Sequence, residues 1–255
     1  MFKRIAIFAY GLVCYAVFFA TFLYALGFVG NFLVPVSMDG PARLDFGSAL
    51  LVDLGLLGVF AVQHSLMARP FFKRWLTRFI PESAERSTYV LFSSAALIAL
   101  FAFWQPLGGL IWNVGDGVAR AVLLGIFIFG WTLVLVSTFL INHFDLFGLR
   151  QVWLQLIGKP YAHLRFGTPG PYKLVRHPLY LGWFFAFWAT PTMTVTHLVF
   201  AIATTAYILI AIQLEEKDLI DALGDDYRGY RERVPMIIPF LGARRQIRGS
   251  PVSRC

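Results

Sequence analysis

Residues 170–183, GPYKLVRHPLYLGW, bring two prolines, a lysine, an arginine, a histidine and two tyrosines to the start of an apolar run. Pro178 disfavours a helical conformation at His177, so Arg176 and His177 lie on extended chain. Pro178 itself suits the first position of a helix, whose first turn leaves N–H groups free for an anion. Arg176 adds a two-pronged donor for the same carboxylate. Tyr172 and Tyr180 offer ring faces to a cation. Further on, LEEKDLIDALGDDYRGY carries Glu215 and Glu216. If the intervening run is a hairpin, both return to the same surface and can pair with an ammonium or accept from ribose hydroxyls. S-adenosylmethionine combines a carboxylate, an ammonium, a ribose and a sulfonium cation. A lipid headgroup satisfies part of the same set.

A second group of residues could handle protons. His64 ends an apolar run in QHSLMARP, and Asn142, His143 and Asp145 end another in INHFDLFGLRQ. A base oriented by an amide or carboxylate serves proton abstraction, so His64 or His143 is the expected base, with Asn142 or Asp145 as its orienter. The plainer reading is an interfacial histidine at residue 64 and a capped helix end at 142–145. Arg86 can favour a thiolate or bind a carboxylate. Asp53 shares a helix face with His64 but is expected to make only a packing hydrogen bond. His163 and His197 read as structural or solvated. No HxxxH pair or CxxC occurs, so no metal site is expected. Neither GxGxxG nor GxxxxGK[ST] is present.

The elements that carry these groups are membrane spans. The 255 residues are 58% hydrophobic and 14% charged, against about 25% charged in a soluble domain. The apolar runs are continuous rather than alternating, which excludes a β-barrel of outer-membrane type. The fold class is all-α, a polytopic transmembrane bundle in a single domain, 1–255. Spans are expected at 5–28, 46–67, 88–104 and 119–141. The first follows MFKR and reads as a retained helix rather than a cleaved signal. The run 181–213, broken by PTMTVTH, is too long for one upright helix. A helical hairpin turning at 191–197 is expected, with a kinked fifth span as the alternative.

The net charge of +8 sits beside the spans, which points to the membrane surface rather than to nucleic acid. Lysine and arginine counts place the N-terminus, 69–87, 142–180 and the tail on the cytoplasmic side. Connections 29–45 and 105–118 face out. Ile220, Leu223, Tyr227 and Tyr230 share one helical face, so 214–230 reads as a surface helix, weakened at Gly224. Cys14 lies in the first span and Cys255 is the last residue; neither indicates a motif.

The order RHPLY, apolar hairpin, EE, Gly, YxxY, Pro over 168–239 resembles the cofactor module of integral-membrane methyltransferases. That group includes the isoprenylcysteine carboxyl methyltransferases and phospholipid N-methyltransferases. The resemblance implies S-adenosylmethionine as cofactor, held by His177, Pro178, Tyr180, Gly182, Glu215, Glu216, Tyr227 and Tyr230. Leu223 departs from the phenylalanine usual before the glycine of the second element. The segments QHSLMARPFFKRWLTRFIPESAERSTYVLFSS and INHFDLFGLRQ are similar to those of bacterial methanethiol S-methyltransferases, and share features with NnrU-like membrane proteins. This second resemblance implies a small volatile thiol as substrate, dimethyl sulfide as product and a bacterial inner-membrane location with the cofactor on the cytoplasmic side. The alternatives are an acceptor of prenylated-thiol, prenylated-carboxyl or lipid-amine type, and an NnrU-like non-enzymatic membrane protein.

Overall fold

The computed structural model describes residues 1–162, 166–239 and 241. His163 and Cys255 lie outside the described residues. Five helices are long and apolar enough to cross a bilayer: α1 (Phe2–Gly30), α2 (Phe46–Ala68), α4 (Glu82–Phe103), α5 (Val118–Ile141) and α9 (Val195–Leu223). The chain is a multi-pass membrane protein. Shorter helices are α3 (Pro70–Leu76), α6 (His143–Leu146), α7 (Leu149–Ile157), α8 (Pro178–Trp188) and α10 (Asp225–Arg233). Local chemistry sets the boundaries. The Asp45 side chain caps α2 by accepting from Ser48 N at 3.0 Å. Pro70 ends α2 and starts α3, leaving Arg69 extended between them. The Thr194 hydroxyl caps α9 by accepting from His197 N at 3.0 Å.

The connections gather at two ends. At one end Trp104 Nε1 donates to Met38 O at 3.1 Å, and Leu107 N donates to Thr196 Oγ1 at 2.8 Å. Strands β1 (Leu110–Asn113) and β2 (Thr192–Thr194) pair antiparallel there, and the Thr194 hydroxyl bonds Asp39. At the other end Arg86 Nε donates to Leu146 O at 2.7 Å, Arg69 pairs with Asp218 at 3.0 Å, and Arg176 N donates to Pro235 O at 2.8 Å. The 29–45 and 105–118 connections therefore share one end with the 189–194 turn, as charge counting requires.

The run 181–213 is the hairpin. Helix α8 has 11 residues and rises about 16 Å, short of the roughly 30 Å hydrocarbon core. The 189–194 segment completes its passage to the β1 edge, and α9 returns. The surface-helix expectation for 214–230 is corrected. Residues 214–223 continue α9, and the chain breaks at Gly224, where φ is 59° and ψ is −127°. Ile220 and Leu223 thus belong to one helix, Tyr227 and Tyr230 to the next.

Helices α5 and α8 touch backbone to backbone. A Cβ on Gly182 would lie 2.8 Å from Gly130 O and 2.8 Å from Val134 N; one on Gly130 would lie 2.6 Å from Ala186 N. Small residues permit this approach, the usual device where lipid supplies no hydrophobic drive between helices. The structure thus gives Gly182 a packing role against α5. Gly182→Ala is expected to cost about 1–3 kcal/mol through overpacking. It should lower the thermal midpoint in detergent while leaving donor affinity per folded molecule unchanged. A normal midpoint with lost donor affinity would support the cofactor role instead.

Candidate active site

A cavity of about 2000 Å³ runs between α1, α2, α4, α5, α8 and α9 and opens among the loops at the Arg86 end. Tyr172, Arg176, His177, Tyr180, Glu215, Tyr227 and Tyr230 line one part. Their positions follow from local folding. Tyr172 lies on a 3₁₀ turn at Gly170–Lys173, His177 precedes α8, and Tyr180 is in its first turn. Glu215 is on the last turns of α9, and the two C-terminal tyrosines lie on α10. Tyr180 Oη donates to Glu215 Oε2 at 2.9 Å, and Tyr230 Oη donates to the Tyr172 carbonyl at 2.6 Å. The hydroxyls of Tyr172 and Tyr227 are buried with no hydrogen-bond partner among the described residues. Burial pushes the Tyr230 hydroxyl up to about 12. Burial and the Glu215 carboxylate raise Tyr172; burial and Glu216 raise Tyr227. All three stay protonated at neutral pH and can donate.

Glu216 is arranged differently from Glu215. It is 3% exposed and holds Arg176 Nε at 2.7 Å, His177 Nε2 at 3.1 Å and Arg231 Nε at 3.3 Å. Arg176 also donates to the carbonyls of Val234 at 2.6 Å and Arg231 at 3.0 Å. Arg176 and Glu216 therefore neutralise each other and tie the chain after α10 to the start of α8. Pro178, Gly182 and Glu216 are not among the cavity's lining residues. The Arg176 fork expected to grip a free carboxylate is occupied here by Glu216 and by the two backbone carbonyls.

His64 and His143 line another part of the same cavity. His64 stacks on Phe60, with ring centroids 5.2 Å apart. Tyr89 Oη lies 2.9 Å from His64 Nε2 and 3.0 Å from Nδ1, and Ser93 Oγ lies 3.2 Å from Nδ1. The Arg86 guanidinium sits 4.9 Å over the Tyr89 ring. His143 is also on the cavity wall, and like His64 it has a partner at each nitrogen: Thr138 Oγ1 at Nδ1 and Tyr15 Oη at Nε2, each at 2.8 Å; its side chain is buried where His64 is half-buried. Burial lowers its tendency to protonate. Asn142 caps α6 by accepting from Asp145 N at 3.1 Å, and Asp145 pairs with Arg150 at 2.7 Å. Among the described residues neither is hydrogen-bonded to a histidine ring. Tyr89 and Ser93 orient His64 instead. Sequence reasoning missed both, although Arg86, Tyr89 and Ser93 are spaced to share a helix face.

Two other expectations about polar groups hold. Asp53 is fully buried and accepts from Gln105 N at 2.9 Å, a packing hydrogen bond. His197 is fully buried, with Nε2 bonded to Phe187 O at 2.9 Å, a structural role.

Comparison with known proteins gives this geometry a setting. Residues 127–221 match the isoprenylcysteine carboxyl methyltransferase (ICMT) family. The methanethiol S-methyltransferase of Crocosphaera subtropica is 56% identical across 95% of this chain and 95% of its own length. The chain belongs to the methanethiol S-methyltransferase family. The methanethiol S-methyltransferase of Mycobacterium tuberculosis is 53% identical, across 93% of this chain and 98% of its own. Methanethiol S-methyltransferase 2 of Bradyrhizobium diazoefficiens is 52% identical, across 96% and 95%. No solved structure matches the chain. Membership makes the protein an enzyme, a membrane methyltransferase that uses a methyl donor, and sets aside the non-enzymatic alternative.

Proposed function

We propose that the enzyme transfers a methyl group from S-adenosylmethionine to methanethiol, releasing dimethyl sulfide. The chain acts as one domain, with 168–239 as its cofactor module on the cytoplasmic side of a bacterial inner membrane. The observation that carries this reading is the single cavity joining an acidic, tyrosine-rich part to a histidine-bearing part. The donor set fits the cofactor. Glu215 can accept from ribose hydroxyls or an ammonium, and the unpartnered Tyr172 and Tyr227 hydroxyls can donate to oxygen or nitrogen acceptors. Relatives carrying the methanethiol S-methyltransferase name support the acceptor.

When bound, S-adenosylmethionine supplies a methyl group on a sulfonium centre, whose positive charge is lost on transfer. A site shielded from water favours that charge loss. The nucleophile must be the thiolate. His64 takes the thiol proton on Nε2, and the Tyr89 hydroxyl turns its own proton away and accepts from the new N–H. Ser93 holds Nδ1. Arg86 lies over the Tyr89 ring and holds it against His64, and the proton on His64 then passes to water at the open loop end of the cavity. His143 keeps its ring in place between Tyr15 and Thr138 and shapes the wall.

The cavity volume exceeds the roughly 300–1,000 Å³ usual for small-ligand sites. That observation favours, as a second reading, a bulkier acceptor such as a prenylated thiol or lipid amine. Headspace gas chromatography separates the two. Purified enzyme in nanodiscs, given methanethiol and S-adenosylmethionine, should release dimethyl sulfide in proportion to S-adenosylhomocysteine formed. Formation of S-adenosylhomocysteine only with a lipid thiol or amine would replace the first reading with the second.

A further inference from the structure

A second, smaller space lies against the first. It measures about 390 Å³ and sits between α1 and α5, lined by apolar side chains with Thr132 and Thr190. Leu23, Leu124 and Ile128 on its walls are exposed, in the part of the bundle that faces lipid. Phe22, Val29, Trp131 and Leu135 line both spaces, so these four form the partition between them. Trp131 is 4% exposed, and its indole Nε1 is buried with no acceptor among the described residues. An unmet buried donor is costly, and here it lies on a cavity wall.

On the inner side of the partition the aromatic rings enclose one spot. Trp131 packs edge-on against Phe22 at 5.3 Å and against Trp183 at 5.1 Å, and Trp183 stacks on Phe187 at 5.2 Å. Trp183 follows Tyr180 by three residues, so it lies about 4.5 Å deeper on α8. Along α8 the Tyr180–Glu215 pair comes first and the aromatic box about one turn on, and Phe22 and Trp131 of that box also line the lipid-facing groove. Sulfur makes favourable contacts with aromatic edges, and a thiol or thioether lone pair is a weak acceptor suited to an indole N–H. An uncharged molecule of two or three heavy atoms also needs no polar passage.

We propose that Phe22, Trp131, Trp183 and Phe187 form a binding site for a small uncharged sulfur compound, and that the groove behind Trp131 is its passage to the bilayer. The assignment of that compound as acceptor thiol and product sulfide rests on the proposed function. The indole N–H holds the sulfur one turn from the donor site, and the partition keeps acyl chains out of the reaction cavity.

The test uses the full chain in nanodiscs, with dimethyl sulfide as the probe in saturation-transfer difference NMR. Wild type should give a signal. Trp131→Phe keeps a ring but removes the N–H, and should weaken the probe's Kd about fivefold, the scale of one modest hydrogen bond. Thr132→Trp fills the groove from the lipid side and should raise the KM for methanethiol with unchanged S-adenosylmethionine affinity. That unchanged affinity also certifies folding. Equal probe binding in wild type and Trp131→Phe overturns the site. A KM untouched by Thr132→Trp, as when a lipid chain merely rests in the groove, overturns the passage. Intact probe effects with no dimethyl sulfide formed would uphold the site and reject the methanethiol reaction. Normal turnover with no probe effect would do the reverse.

Discussion

His64→Ala is expected to lower kcat by about 10²- to 10⁴-fold, the contribution typical of a positioned general base. Donor affinity stays near wild type, because Glu215 and the tyrosines that line the other part of the cavity are untouched. The residual rate should climb with pH, since hydroxide can then form the thiolate that His64 no longer generates. His143→Ala is the control. It is buried and bonded to Thr138 and Tyr15, whereas His64 is half-buried, so the variant should lose stability but keep kcat per folded molecule within about tenfold. Single-turnover rates across pH check both variants. Full turnover in His64→Ala, or a pH-independent residual rate, would move the proton-accepting role elsewhere.

Glu216→Ala has the largest expected effect on stability. It strands Arg176, His177 and Arg231 around an empty position, and two of these are nearly as buried as the carboxylate. Breaking one partner of a buried ion pair costs about 3–5 kcal/mol. The loss should fall first on the tie between 176–178 and 234–237, where Arg176 holds two carbonyls. Proteolysis near α10 and a lower thermal midpoint would record it. Glu215→Ala should leave the midpoint unchanged and weaken S-adenosylmethionine binding. Matching losses of donor affinity and equal midpoints in the two variants would mean that both carboxylates serve the ligand.

Much of the bundle was legible because charge-free runs of span length have few alternatives. The hairpin was legible for the same reason, with Pro191 and the threonines marking its turn. Two kinds of information were not. Spatial pairing between distant elements was one: nothing local to Glu216 says that Arg176 neutralises it, whereas Glu215 is left to Tyr180. The two glutamates are neighbours in sequence but lie 100° apart on the helix. Close helix contact was the other. The packing role of Gly182 in RHPLYLG was not legible, because its partner, Gly130, lies on a different helix. Tyr89 was overlooked for a related reason. Its meaning comes from His64 on the facing helix, not from its own neighbours. The break at Gly224 was anticipated only as a weakness, since a glycine at positive φ reveals its use only when the chain's next direction is known.

Helix α9 runs unbroken for 29 residues, from the Thr194 cap beside Asp39 to the glutamates at the other end. Its rise of about 44 Å outlasts the hydrocarbon core, which is why its last turns can be acidic. The helix therefore works as a keyed shaft. Its lipid-facing residues are free to change in kind, but not in number. One residue inserted between Val195 and Leu214 would rotate everything beyond it by about 100°. That turn would carry Glu215 away from Tyr180 and Glu216 away from Arg176 at once. The placement of both glutamates is thus set by the length of the whole span that precedes them.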